Sequence, residues 1–227
     1  MKQHRSINDA RPRRHIRAAL ALAGLTAGVP ALAHASSLDQ RRFELRPNPA
    51  VVRCLAQFPD DPTRPPQAIV TVRRGNLNDR LTIQLKNIRD GLAFDMFTVE
   101  RSSLFPDGTV DPVAKAKGFG LAWYQSDLEV RNDSRNETTI QTVLVDQIFG
   151  FDADTDVALD PTNTFHVGFW FNRPEDAFDC HFTGFTPFNG EHHAGPLAMI
   201  SVPDEDTKLG PLCFDPDFST DPVSCNP

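Results

Sequence analysis

The histidines that could do chemistry are gathered in one part of the chain. Residues 166–193 contain His166, His181, His192 and His193, and Glu191 immediately precedes the last two. Imidazole and carboxylate groups are common ligands of Zn²⁺ and Cu²⁺. No HxH or HExxH spacing occurs, so ordinary loop and surface histidines are the alternative interpretation. The five residues are a candidate Zn or Cu site, and they support the hypothesis of a metal-dependent secreted enzyme.

A second candidate site is an acidic segment that offers carboxylates at alternate positions. Its members are Asp152, Asp154, Asp156 and Asp160. Such a series presents several oxygens to a hard cation, as extracellular Ca²⁺ loops do. The segment departs from the EF-hand pattern, because Val157 stands where that loop needs Gly and Asn163 stands where it has Glu. A calcium-stabilised module and a solvated acidic hairpin loop are therefore both open.

Three aromatic residues could provide flat surfaces for a ligand. Trp123, Tyr124 and Trp170 could stack a sugar or another planar molecule, or they could pack in a core. No GxSxG, P-loop or GxGxxG motif occurs, and nothing marks one serine as a nucleophile. The sequence therefore assigns no catalytic residue.

The first 35 residues have the pattern of a signal peptide. Arg11, Arg13, Arg14 and Arg17 form a basic region, an apolar stretch follows at 18–29, and small residues precede a cleavage site near Ala35. The apolar stretch is too short to span a bilayer. The paired arginines leave both the general and the twin-arginine export routes open. We expect a periplasmic or extracellular protein.

Cleavage makes the protein strongly acidic. The leader carries six basic residues and one acidic residue, which leaves 17 basic and 29 acidic residues in 36–227, a net charge of −12. Such a balance argues against nucleic acid or an anionic membrane as the main partner. No later apolar run is long enough to cross a membrane. The expected partner is an unidentified small molecule or an extracellular surface.

All four cysteines survive cleavage, and an even number in an exported chain predicts two disulfides. Three pairings are possible among Cys54, Cys180, Cys213 and Cys225. Cys213 and Cys225 could close a local loop, which would leave Cys54 for Cys180. The other pairings stay open.

The elements that must position these residues are strands. Residues 80–86 alternate strictly between apolar and polar side chains. In residues 164–172, one face carries Phe165, Val167, Phe169 and Phe171, and the other carries His166, Gly168 and Trp170. A helical turn is predicted at 174–178, where Pro174 suits a first helical position. Loop signals dominate 102–117. Strands are predicted at 68–74, 80–86, 93–101, 119–124, 138–149, 164–172 and 196–202.

Short strands separated by turns, without a long helical period, predict an all-β fold. We expect an antiparallel β-sandwich with long loops, a short helical turn and an irregular, disulfide-tied C-terminal tail. The expected organisation is a signal peptide (1–35), a proline-rich arm with one or two short strands (36–67), the sandwich (68–202) and an acidic, proline-rich tail (203–227).

Three motifs carry a resemblance that covers about residues 68–202. They are FGLAWYQ at 119–125, FWFN at 169–172 followed by Pro174, and TPFNGEH at 186–192 followed by Ala194-Gly195. The chain resembles a set of uncharacterised exported bacterial proteins that share them, and this implies common descent without an activity to carry over. In layout it is also similar to chordin-type domains and Cu,Zn superoxide dismutase sandwiches. The dismutase site uses six histidines with an HxH pair, whereas residues 36–227 hold four and no such pair.

These observations favour an exported, non-enzymatic protein that binds a ligand or another surface. The reason is that the sequence predicts a clear β fold but contains no complete set of catalytic residues. The metal-dependent enzyme and the calcium-stabilised module are the alternatives.

Overall fold

The computed structural model describes residues 39–76, 78–145, 147–152, 157–163 and 165–226, with 147–152 and 157–163 as backbone only. The strands are β1 (Gln40–Pro47), β2 (Gln67–Arg73), β3 (Asp79–Lys86), β4 (Ala93–Val99), β5 (Ala122–Glu129), β6 (Glu137–Leu144), β7 (Gln147–Asp152), β8 (Val157–Asn163), β9 (His166–Phe171), β10 (Leu197–Ser201), β11 (Pro216–Asp217) and β12 (Ser224–Cys225). The helices are α1 (Val52–Leu55), α2 (Pro112–Lys117) and a 3₁₀-helix (Pro174–Cys180). The predicted signal peptide lies outside the described residues.

Eight of the strands form one antiparallel sheet. Its order is β5-β4-β9-β10-β1-β2-β3-β6, while β7 pairs with β8 and β11 with β12. The predicted all-β antiparallel fold is confirmed. The two layers of the expected sandwich belong to this one sheet, which curls until it is nearly closed into a barrel. Within the described residues, no helix is long and apolar enough to cross a membrane.

The interior of the barrel follows from the alternation of side chains along each strand. Leu81, Ile83 and Leu85 on β3 are at most 1% exposed, whereas the residues between them face outward. Phe94 on β4 packs against Phe171 on β9 with 5.3 Å between ring centroids. A fully buried side chain of this size stabilises the fold by about 1.5–3 kcal/mol, so the barrel core holds the sheet in its curled form.

The side chain of Gln125 bridges the seam between β5 and β6, the two end strands of the sheet. The Nε2 atom of Gln125 on β5 donates to the Val145 carbonyl at 2.6 Å, and the Val145 N–H donates to Gln125 Oε1 at 2.8 Å. Val145 immediately follows β6. Gln125 is the extra residue at a register shift between β4 and β5, and such a bulge re-aims a side chain. The side-chain amide of Gln125 thus forms with Val145 the two hydrogen bonds that the backbone of a paired strand would otherwise form.

The proline-rich arm contributes a central strand. β1 lies between β10 and β2, and Leu45 on it is fully buried. The sheet therefore begins in the arm, about 28 residues before the expected start of the sandwich at 68. The disulfide between Cys54 and Cys180 joins α1 to the end of the 3₁₀-helix.

Two segments differ from their expected structure. The stretch 138–149 is predicted as one strand, but β6 ends at Leu144 and β7 begins at Gln147. The segment expected to be a loop contains α2, whose N-cap Asp111 accepts hydrogen bonds from the N–H groups of Val113 and Ala114. Asp111-Pro112 marks a turn as readily as a helix start, and a six-residue helix shows no apolar period.

The acidic tail is irregular and tied to the barrel. Cys213 and Cys225 form its disulfide beside the two-residue strands β11 and β12. The ring of Phe214 lies under the guanidinium of Arg74, with 4.4 Å from Cζ to the ring centroid. Leu212 and Cys213 are 3% exposed, so this part of the tail belongs to the core.

Candidate functional site

His166 is the one buried histidine of the predicted metal site. Its side chain starts β9 at 3% exposure, and Nδ1 lies 3.1 Å from the hydroxyl of Ser201. Burial lowers the pKa of His166 to about 4, because the charged imidazolium loses its hydration. His166 is therefore neutral at physiological pH.

The other four predicted ligands are exposed in loops. His181 ends the 3₁₀-helix with φ 64°, and His192 has φ 61°. The side-chain oxygen of Asn189 accepts hydrogen bonds from the N–H groups of Glu191 and His193. No three His, Cys, Asp or Glu side chains in the described part of the chain form a group able to hold a metal ion. The structure does not bring the five residues together.

The predicted calcium ligands fall in or beside the hairpin of β7 and β8. Asp154 and Asp156 lie outside the described residues, as do the side chains of Asp152 and Asp160. The calcium site stays a prediction.

The three residues predicted to stack a ligand have different surroundings. Trp170 is 1% exposed, and its indole is stacked on Phe188 at 3.9 Å between centroids with planes 8° apart. Tyr124 is 53% exposed and contacts Phe97 edge-on at 5.7 Å. Trp123 is partly buried. The chain's own Phe188 thus covers one face of Trp170, and Tyr124 offers the most open ring of the three.

Trp170 belongs to a second apolar cluster, on the opposite face of the strands from the barrel core. It includes Phe97, Leu104 and Ile200, with Phe119 and Phe188 packed against it. We call it the outer aromatic cluster. The strand alternation explains it, since Phe169 and Phe171 point into the barrel and Trp170 points away.

Residues of the FWFN and TPFNGEH segments cover this cluster. Phe188 of TPFNGEH stacks on Trp170 of FWFN, and the Asn189 side-chain amide donates to the Asn172 carbonyl at 3.3 Å. Asn172 in turn donates to Asp95 Oδ1 at 2.8 Å. These motif residues therefore hold the 186–195 loop against the sheet.

Asp95 is a buried carboxyl that the sequence interpretation missed. It is 1% exposed and lies directly opposite Asp127 in the β4–β5 register. The pKa of Asp95 is raised to about 6, mainly because burial disfavours the charged carboxylate. The hydrogen bond from the Asn172 amide lowers this pKa, and the neighbouring Asp127 carboxyl raises it. Burial and Asp127 likewise raise the pKa of Tyr124 to about 12. A single Asp inside the apolar run of β4 was the available signal.

An open cleft adjoins the outer aromatic cluster. Its volume is about 290 Å³, and its apolar lining includes Leu104, Val110, Phe119, Leu197 and Ile200. We call it the Phe119 cleft. Leu104 and Ile200 are buried members of the outer aromatic cluster, and Phe119 and Leu197 are partly buried against it, so the cleft lies at the edge of that cluster. Small-molecule sites are mostly apolar concave sites of about 300–1,000 Å³.

Two cations line the same cleft. Arg46 comes from β1 and Lys115 from α2. The helix α2 begins at Pro112 after the N-cap Asp111 and ends at Gly118, which has φ 74°. Neither was a predicted site residue. They are 69 positions apart in the chain, and only the fold places them on one cleft.

No protein-family model matches this chain, and no curated protein or solved structure was found to match it either. By its fold and its site, the protein is a disulfide-tied, nearly closed antiparallel barrel with an apolar surface cleft. Its resemblance to exported bacterial proteins stays a prediction.

Proposed function

We propose that the mature chain is an exported, non-enzymatic binding protein that holds a small, largely apolar molecule in the Phe119 cleft. The observation that carries the proposal is a concave site of about 290 Å³ beside the outer aromatic cluster, where exposed Val110 and partly buried Phe119 and Leu197 present apolar surface. Burying such surface against an apolar ligand contributes about 25 cal/mol per Å². A ligand would complete a core that the chain leaves open.

Two disulfides and the leader pattern support export. Disulfides persist mainly in oxidising compartments such as the periplasm and the extracellular space, and the chain pairs all four of its cysteines. The metal-dependent enzyme has less support, because its five proposed ligands do not form a group of three or more in the described residues.

The test uses the neutral dye N-phenyl-1-naphthylamine, which fluoresces in apolar surroundings. We expect a saturable signal with the oxidised protein. Val110→Phe fills the cleft and should weaken dye binding about tenfold, equivalent to about 1.4 kcal/mol. Val113→Phe is the matched control, because Val113 is an exposed residue of α2 that does not line the cleft.

Either of two results would contradict the proposal. One is a wild-type titration that shows no saturation. The other is an equal loss of dye affinity in Val110→Phe and Val113→Phe, since the cleft would then have no special part in binding.

A further inference from the structure

The charge pattern at the Phe119 cleft identifies the kind of ligand that suits it. Arg46 and Lys115 line the cleft, and none of the acidic residues that the structure describes does. In a mature chain of net charge −12, an apolar cleft with cations alone on its lining is unexpected. Both side chains reach solvent, so their long stems lie along the apolar surface while their charges stay at the rim.

The two cations are available to a bound anion. Lys115 forms no ion pair with any described residue. Within the described residues, the one ion pair of Arg46 is a long contact of 3.8 Å from Nη1 to Glu44 Oε2, and both side chains are nearly half exposed. Water and salt screen such an exposed pair effectively. A ligand anion can therefore replace Glu44 as the partner of Arg46.

The fold also restrains Arg46. Gly108 adopts φ +86° and packs so closely on Arg46 that a Cβ there would lie 3.2 Å from Nε. The loop containing Gly108 thus lies along the arginine side chain, on the same segment that leads to α2 and Lys115. A side chain held in this way loses less freedom when it binds a ligand.

We propose that the Phe119 cleft selects small amphiphiles that carry one anionic group, a carboxylate or sulfonate, over neutral molecules of the same shape. The apolar body lies against Phe119, Leu104 and Ile200, and the anion lies at the rim between Arg46 and Lys115. The inference rests on the proposed function, because it names the class of ligand for the same cleft. More distant acidic residues act weakly on the bound anion, since charges more than about 8 Å apart are largely screened at physiological salt.

Two related dyes test this. N-Phenyl-1-naphthylamine is neutral, and 1-anilinonaphthalene-8-sulfonate carries the sulfonate on a closely similar body. We expect Lys115→Gln and Arg46→Gln each to weaken binding of the sulfonate dye about two- to fivefold, the range for a solvent-facing charge pair. Binding of the neutral dye should not change. Lys117→Gln is the matched control, because it removes the same charge from α2 outside the cleft lining.

Each result has a defined meaning. The inference is overturned if the charge variants leave sulfonate binding unchanged, weaken both dyes equally, or behave like Lys117→Gln. It is also overturned if Val110→Phe does not weaken sulfonate binding, because the anion then binds elsewhere. Saturable binding of the neutral dye in those cases leaves the proposed function standing, whereas its absence removes the proposed function itself.

Discussion

At the level of single residues, Asp95 and His166 are both buried ionisable groups with opposite effects on stability. The pKa of Asp95 is raised from 3.8 to about 6, so between these values the folded state binds more protons than the unfolded state. The pKa of His166 is lowered from 6.5 to about 4, so over nearly the same range the unfolded state binds more. Acidification from pH 6.5 to 4.5 therefore stabilises through Asp95 and destabilises through His166.

Single substitutions should separate the two effects. In Asp95→Asn, only the His166 contribution remains, and the melting temperature should fall more steeply than in the wild type on acidification from pH 6.5 to 4.5. In His166→Gln, the melting temperature should fall less than in the wild type over the same pH range, or rise. Each pKa unit corresponds to about 1.4 kcal/mol, and each kcal/mol to about 2–4 °C in a protein of this size. Calorimetric scans across this pH range measure the slopes.

The exposed carboxylate of Asp61 does not affect this comparison. Hydrogen bonds from Thr63 and Arg64 lower the pKa of Asp61 to about 2, so its protonation falls below the range used. Identical pH slopes in the wild type and both variants would show that neither buried group contributes as described.

At the level of elements, the seam between β5 and β6 depends on Gln125. Replacing it by Ala removes both hydrogen bonds to Val145 and the one that its Nε2 donates to the Thr98 hydroxyl. Each such bond contributes about 0.5–1.5 kcal/mol, so we expect a loss of about 1.5–4.5 kcal/mol in the free energy of unfolding. Gln141→Ala is the control, since Gln141 is an exposed glutamine of the same strand that lies opposite Thr82 of β3, four positions before Val145.

Hydrogen exchange gives this prediction a local measurement. The Val145 amide should exchange faster in Gln125→Ala, while the amides of β3 should keep their protection relative to global stability. Unchanged exchange at Val145 would mean that water or another group replaces the glutamine.

Several elements were predictable because their signal is local. The strict alternation at 80–86 matches β3 closely, and the Phe row at 165–171 matches β9. β1 was predicted only as a short strand of the arm, because a segment rich in Arg, Glu and Pro, with Phe43 and Leu45 as its apolar residues, gives no sign that it pairs on both sides. α2 was missed, since its capping residues also mark turns.

At the level of the whole molecule, the two disulfides constrain very different lengths of chain. The Cys54–Cys180 pair spans 126 residues and the Cys213–Cys225 pair spans 12. Loop-closure entropy predicts a contribution of about 5 kcal/mol for the first and about 3 kcal/mol for the second. The long-range disulfide should therefore matter more for stability.

Paired substitutions test this ranking. Replacing Cys54 and Cys180 by Ala should lower the free energy of unfolding by about 2 kcal/mol more than replacing Cys213 and Cys225, if chain entropy dominates. Urea titration under oxidising conditions measures both. The reverse order would show that local packing of the tail outweighs the entropy of the longer loop.

The sequence alone predicts the antiparallel all-β class, the disulfide-forming cysteines and several strands, among them β3 and β9, because alternation and residue type are properties of short segments. Only the tertiary structure decided which distant side chains meet. It left the predicted metal ligands apart, since β9 buries His166 while loops expose the other four. It brought Arg46 and Lys115 to one cleft, because β1 lies beside β10 and the segment carrying α2 lies over that part of the sheet. Strand order is a property of the whole chain, and so is the site that it creates.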